Sequence, residues 1–203
     1  MSETWAWIGG WAISPERLKK ALEKALPGTR QIVFHPSPHA VDQLLSIHAD
    51  YLGAYSLGTL LLLQAIDRLP KKQRIHCLAP ILGFCQEDQL GGTTPRSTMM
   101  KLRERLASNP MAAIQLFYRL AKLDEEPSTE LPYNSTDLEW GLQTLSEQTA
   151  DKTTIGNNVY SIIGREDPLM KVEQVTTYFE HSHLVSSLHS YKQLVGHLEA
   201  ASG

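Results

Sequence analysis

The sharpest chemical signal in the chain is the run Ala54-Tyr55-Ser56-Leu57-Gly58, which departs from the pattern Gly-x-Ser-x-Gly only at Ala54. An apolar stretch read as a strand, Asp50 to Tyr55, precedes the serine, and a strongly apolar helix, Leu57 to Leu69, follows it. That context predicts a tight strand-to-helix turn that lifts Ser56 above the sheet, with small residues where backbone and helix approach closely. The positive end of the helix then faces an anion developing at the serine. The chemistry expected is nucleophilic attack through an acyl-serine. The plainer reading is a serine that caps its own helix.

A serine nucleophile needs a base, and the base needs an orienting carboxylate. In the chain order Ser, acid, His, the acid falls in Ile162-Ile163-Gly164-Arg165-Glu166-Asp167, just past an expected strand end; Asp167 is selected, with Glu166 as the rival and an ordinary Asp-Pro turn as the plainer reading. Four histidines follow: His181, His183, His189 and His197. His181 and His183 fall in a polar connection, and His189 lies inside a last strand read over Ser186 to Tyr191. His197, in the loop-like Val195-Gly196-His197, is selected as the base. An oxyanion hole needs two backbone N–H donors, one from the residue after the nucleophile and one from the turn after the first strand. These are Leu57 and Trp11, the latter in Gly9-Gly10-Trp11-Ala12. His35, His39 and His48 lack a nearby cysteine or carboxylate set, so no metal and no cofactor is expected.

These residues need a scaffold, and the pattern supplies one. Strands are expected over Trp5–Ile8, Gln31–Phe34, Asp50–Tyr55 and Arg74–Leu82, with helices from Pro15, over Val41–Ala49 and over Leu57–Leu69 between them. Ser14 and Pro15 give the first helix its start. Alternation of this kind predicts an α/β protein with a mostly parallel sheet flanked by helices. The pattern then changes. After the polar loop Gln86–Pro95, helices are expected over Ser97–Leu106, Pro110–Leu123 and Asp137–Thr149 with no strand between them. The strand series resumes at Asn158–Ile163, with a helix over Val172–Phe179. The chain divides accordingly into a first core part, 1–85, a helical lid insertion, 86–150, and a second core part, 151–203. Insertions of this sort often cover a site at the strand ends.

From Arg96 to Lys122 the insertion carries Arg96, Lys101, Arg103, Arg105, Arg119 and Lys122 against the single acid Glu104, in a chain of net charge −3. Such a face could steer an acidic partner, or it is simply a solvated helix surface. The chain's 203 residues fit one domain with a modest insertion. The charge balance argues against bulk nucleic-acid binding. Cys77 and Cys85 are too few for a disulfide framework and fit a reducing compartment. The start, Met1 to Gly10, lacks a basic region and a long apolar stretch, and the longest apolar run is far shorter than a membrane span. A cytoplasmic monomer with no membrane or nucleic-acid partner is expected.

Taken together these motifs resemble the α/β-hydrolase superfamily, and within it the pimeloyl-[acyl-carrier protein] methyl ester esterases of biotin synthesis. Gly10 and Trp11 match the first turn of that family, His-Gly-Trp-Gly. Ser56, Leu57 and Gly58 match its elbow, Gly-Trp-Ser-Leu-Gly-Gly. Gly164-Arg165-Glu166-Asp167 matches its acid loop, Gly-x-x-Asp, and a loop histidine follows the last strand as His197 does. The resemblance implies a Ser56–Asp167–His197 triad, Trp11 and Leu57 amides as the oxyanion hole, and a serine carboxylesterase. Its substrate would be the methyl ester of a pimeloyl-acyl carrier protein, with the carrier docked on the basic insertion. Gly9 stands where the family has His, Thr59 where it has Gly, and no strand precedes Trp5. The connection from Phe34 to Asp50 is compressed, and the sequence stops six residues after His197. The resemblance therefore implies an α/β-hydrolase fold shortened at both ends. Two other functions fit the same residues: a general short-acyl esterase or thioesterase, and a non-catalytic binding protein on a hydrolase fold.

Overall fold

The computed structural model describes residues 2–198. Among them, six parallel strands form one sheet: β1 (Thr4–Ile8), β2 (Arg30–Phe34), β3 (Tyr51–Tyr55), β4 (Ile75–Leu78), β5 (Val159–Gly164) and β6 (His181–Val185), in the order β2-β1-β3-β4-β5-β6. The central strands read as nearly continuous apolar runs because both sheet faces are covered. Strand order reverses at β1, so β2 and β3 leave it in opposite directions. The carboxyl ends of β1 and β3 border the crevice this creates, which is where ligands bind in open α/β sheets.

Helix α1 (Pro15–Ala25) connects β1 to β2 and buries Leu18 and Leu22, one turn apart, against the sheet. Ser14 sits at its N-cap position, but its hydroxyl donates to the Glu16 carboxylate at 2.6 Å instead of capping the backbone. The short α2 (Ala40–Leu45) joins β2 to β3 and ends before the expected Ala49. Helix α3 (Leu57–Gln64) is buried from Leu57 to Leu63, as an all-apolar helix must be. It ends at Gln64, five residues before the expected Leu69, and continues as a single 3₁₀ turn, Ile66–Arg68.

Between β4 and β5 lie three helices: α4 (Arg96–Ser108), α5 (Pro110–Leu120) and α6 (Ser135–Glu147). Asn109 caps α5 by accepting from Ala112 N at 3.1 Å, with Pro110 at the first helical position. Asn134 caps α6 through Asp137 N at 2.9 Å. After β5 come α7 (Val172–Thr176), β6 and α8 (Tyr191–Leu194). No helix of the described residues is long and apolar enough to cross a membrane.

One expected element is misplaced in a way that matters. The last strand is His181–Val185, not Ser186–Tyr191. β6 is an edge strand with an exposed His181 and half-buried Ser182 and His183, so its composition is polar and imitates a loop. Residues 186–190 are instead the loop that leaves its carboxyl end.

Candidate active site

Ser56 stands at the carboxyl end of β3 with φ 54° and ψ −117°, a conformation costly for any residue but glycine. Its N–H donates to Leu78 O at 3.0 Å, and its carbonyl accepts from the Thr59 hydroxyl at 2.6 Å. The hydroxyl makes no capping bond to α3, so the helix-cap reading fails. The sharp turn is possible because α3 lies almost on β1. A Cβ on Gly58 would stand 2.2 Å from Ile8 O, and Gly58 N donates to Gly9 O at 3.1 Å.

The Ser56 hydroxyl donates to Nε2 of His189 at 2.8 Å, and Nδ1 of His189 donates to Oδ2 of Asp167 at 2.6 Å. A carboxylate can only accept, which places the proton on Nδ1 and leaves Nε2 free to accept from the serine. The second Asp167 oxygen accepts from Leu169 N at 2.9 Å. Glu166, the rival acid, is exposed, and its carboxylate meets the Ser186 hydroxyl at 3.4 Å.

The structure thus brings together Ser56 and Asp167 but replaces His197 with His189. His197 lies in the 3₁₀ turn Val195–His197 with its ring against His183, 5.9 Å between centroids, and takes no part in the Ser–His–Asp chain. The error follows from the misplaced last strand, which enclosed His189 in a strand pattern. With β6 ending at Val185, His189 is a loop residue four positions past a strand end. That spacing was the signal available in the sequence. The acid and base loops meet because Gly164 has no side chain: a Cβ there would lie 2.3 Å from Ser187 O.

The turn after β1 closes through an Ile13 N to Gly10 O bond of 3.3 Å, with Ala12 in the left-handed region at φ 60°. Among the described residues, the N–H groups of Trp11 and Leu57 have no acceptor. Two unengaged donors, one beside the nucleophile and one on the adjoining turn, suit a developing oxyanion.

The insertion grips this turn. The Trp11 indole donates to Leu138 O at 2.8 Å and meets Phe117 edge to face at 4.8 Å. Ala12 N donates to the Tyr133 hydroxyl at 2.9 Å, and the Tyr118 hydroxyl donates to Ala12 O at 3.1 Å. Burial raises both tyrosines above their ordinary range, so both hydroxyls stay protonated. Neither tyrosine carries a sequence signal that marks it. Ser56 is 2% exposed and His189 fully buried, so little of either residue meets solvent.

Of the six basic residues on the insertion, two have intramolecular partners. Arg96 donates to Ser146 O and pairs with Asp88, and Arg103 pairs with Glu147 at 3.0 Å. Lys101, Arg105, Arg119 and Lys122 are exposed, with no ion pair among the described residues.

No protein-family model matches the sequence, and no curated protein matches it significantly. Solved structures do. A hydrolase from Oleispira antarctica superposes with TM-score 0.71 at 12% identity, covering 98% of this chain and 90% of that one. A lipase-esterase related protein from Clostridium acetobutylicum gives TM-score 0.60 at 16% identity, over 98% and 92%. The Bottromycin epimerase BotH gives TM-score 0.64 at 11% identity, over 99% and 88%. At such identities the likeness shows the fold: this chain has the α/β-hydrolase fold, as its motifs implied.

Proposed function

We propose that this chain is a serine ester hydrolase working through an acyl-serine intermediate. The observation that carries the reading is the continuous Ser56–His189–Asp167 hydrogen-bond chain, 2.8 and 2.6 Å, on a strained strand-to-helix turn. His189 Nε2 takes the Ser56 proton as Oγ bonds to the ester carbonyl carbon. Asp167 holds the imidazole tautomer and stabilises the imidazolium. The carbonyl oxygen becomes an oxyanion facing the Trp11 and Leu57 N–H groups, each such donor being worth about 3–4 kcal/mol in comparable sites. Collapse breaks the ester C–O bond, and the leaving alkoxide takes the proton from His189. Water, deprotonated by His189, then attacks the acyl carbon and releases the acid and free Ser56.

The finer reading is a methyl ester on a dicarboxylate carried by an acyl carrier protein. It is supported by the resemblance of the first turn, elbow and acid loop, and by the exposed cations Lys101, Arg105, Arg119 and Lys122, which suit an acidic carrier. Arg96 and Arg103 are less suited to docking because internal acids already engage them. A cytoplasmic monomer fits this role.

The test is hydrolysis of methyl pimeloyl-carrier protein beside p-nitrophenyl butyrate, with Ser56→Ala as control. Release of acid from both, abolished in the variant, supports both readings. Turnover of the small ester alone leaves the hydrolase and removes the carrier-bound substrate. Silence on both, with no labelling of Ser56 by a fluorophosphonate, points to a binding protein.

A further inference from the structure

The loop that carries His189 is held from two sides. From the core, the Tyr55 hydroxyl donates to His189 O at 2.5 Å. Burial, and the charge of Asp167, raise Tyr55 well above its ordinary range, so this donor is never lost near neutrality. From the insertion, the segment leaving α5 holds the residues that follow the base. Asp124 Oδ1 accepts from the Ser190 hydroxyl at 2.6 Å, and Oδ2 from Gln193 at 3.4 Å. Glu125 accepts from the Tyr191 hydroxyl at 2.9 Å and pairs with Lys192 at 2.8 Å and Arg17 of α1 at 3.5 Å. Ser190 and Tyr191 are buried and the Glu125 side chain is 8% exposed, so the Glu125–Tyr191 bond is shielded from water, whereas Asp124 is an exposed residue that reaches the buried Ser190 hydroxyl.

We propose that Asp124 and Glu125 are positioning residues for His189, through their grip on Ser190 and Tyr191. The proposal rests on the ester-hydrolase reading of the triad. Helix α5 touches the oxyanion turn through Tyr118, and the segment leaving it touches the base loop. The same element therefore braces both halves of the catalytic apparatus.

The experiment is steady-state hydrolysis of p-nitrophenyl butyrate by the full chain and by Asp124→Ala, Ser190→Ala and their double variant, with melting temperatures alongside. Loss of a charge-assisted bond that orients a base should lower kcat about tenfold in each single variant and change KM less than about twofold. The double variant should be no slower than either single one, because both remove one bond. Asp124→Asn, which keeps an acceptor for Ser190, should recover most of the rate. A purely structural role would lower the melting temperature and leave kcat of the folded fraction unchanged; that result overturns the proposal. So do single-variant losses that multiply in the double variant. If Asp124→Ala does not fold, Tyr191→Phe takes its place, read against Glu125→Ala by the same criteria, with Glu125→Gln as the variant that keeps the acceptor. An inactive wild type that also resists fluorophosphonate overturns the hydrolase reading and this one together. An active wild type with unaffected variants overturns this one alone.

Discussion

Exchanging the two competing histidines separates the geometry from the sequence pattern. In His189→Ala the Ser56 hydroxyl loses the acceptor at 2.8 Å, and with Ser56 2% exposed, bulk water has little access to replace it. Removing the base from a serine triad costs about 10⁴- to 10⁶-fold in kcat. The variant also strips Asp167 of its shortest partner, leaving Leu169 N–H on the other oxygen. An under-paired buried carboxylate costs about 1–3 kcal/mol, so a lower melting temperature should accompany the lost activity. His197→Ala removes a half-buried ring whose aromatic contact is His183, and kcat should stay within about twofold of wild type. The assay is single-turnover and steady-state hydrolysis of p-nitrophenyl butyrate by folded protein, with circular dichroism as the check on folding. If His189→Ala retains more than about one per cent of the wild-type kcat, the triad assignment is wrong. A comparable loss in His197→Ala would refute the reasoning from the other side.

Other consequences follow from the packing. Gly58→Ala would place a Cβ 2.2 Å from Ile8 O, between α3 and β1, where only backbone movement could make room; soluble yield and melting temperature should fall sharply, and a variant as stable as wild type would contradict the elbow geometry. His76 is 1% exposed, its ring nitrogens have no hydrogen-bond partner among the described residues, and burial, aided by the charge of Arg74, lowers it to about 4 from 6.5. The unfolded chain therefore takes up a proton below pH 6.5 that the folded protein refuses until about pH 4. Its contribution is complete above pH 6.5 and declines by about 3 kcal/mol as pH falls to 4. Urea unfolding across that window should show a flatter profile in His76→Phe; an unchanged slope would place the acid sensitivity elsewhere.

The sequence is most legible where a residue's requirement is local. Ser56 and Gly58 declare a strand-to-helix turn because no other backbone tolerates that spacing so well, and Gly164 marks the acid loop for the same steric reason. Asp167 was separable from Glu166 only in three dimensions. Both follow β5, and what decides between them is that the turn after Gly164 directs one inward and one into solvent. His189 was hidden by the edge position of β6. A strand with one face open to solvent can be written His-Ser-His-Leu-Val, and its polar alternation reads as a connection. Residues 186–191, just beyond it, then read as the strand instead. Gly53 shows another limit. It departs from good strand composition because the Trp7 indole lies across it, with ring atoms 2.3 Å from where its Cβ would be. Only the neighbouring strand explains the glycine.

The insertion was legible as three helices but not as a clasp. Its apolar positions divide between packing among themselves and packing on the core, and periodicity cannot apportion them. Its polar bonds to Ala12, Trp11 and Ser190 span more than sixty residues of sequence, so no local pattern encodes them. Under the ester-hydrolase proposal, those bonds are nonetheless the ones that bear on catalysis. The Trp11 amide can meet an oxyanion only if its turn keeps the conformation that Tyr118 and Tyr133 brace from outside. The His189 imidazole can accept from Ser56 only if its loop stays where Tyr55 and Asp124 hold it. On the ester-hydrolase proposal, a change in the insertion that never touches substrate should therefore register in kcat before it registers in binding.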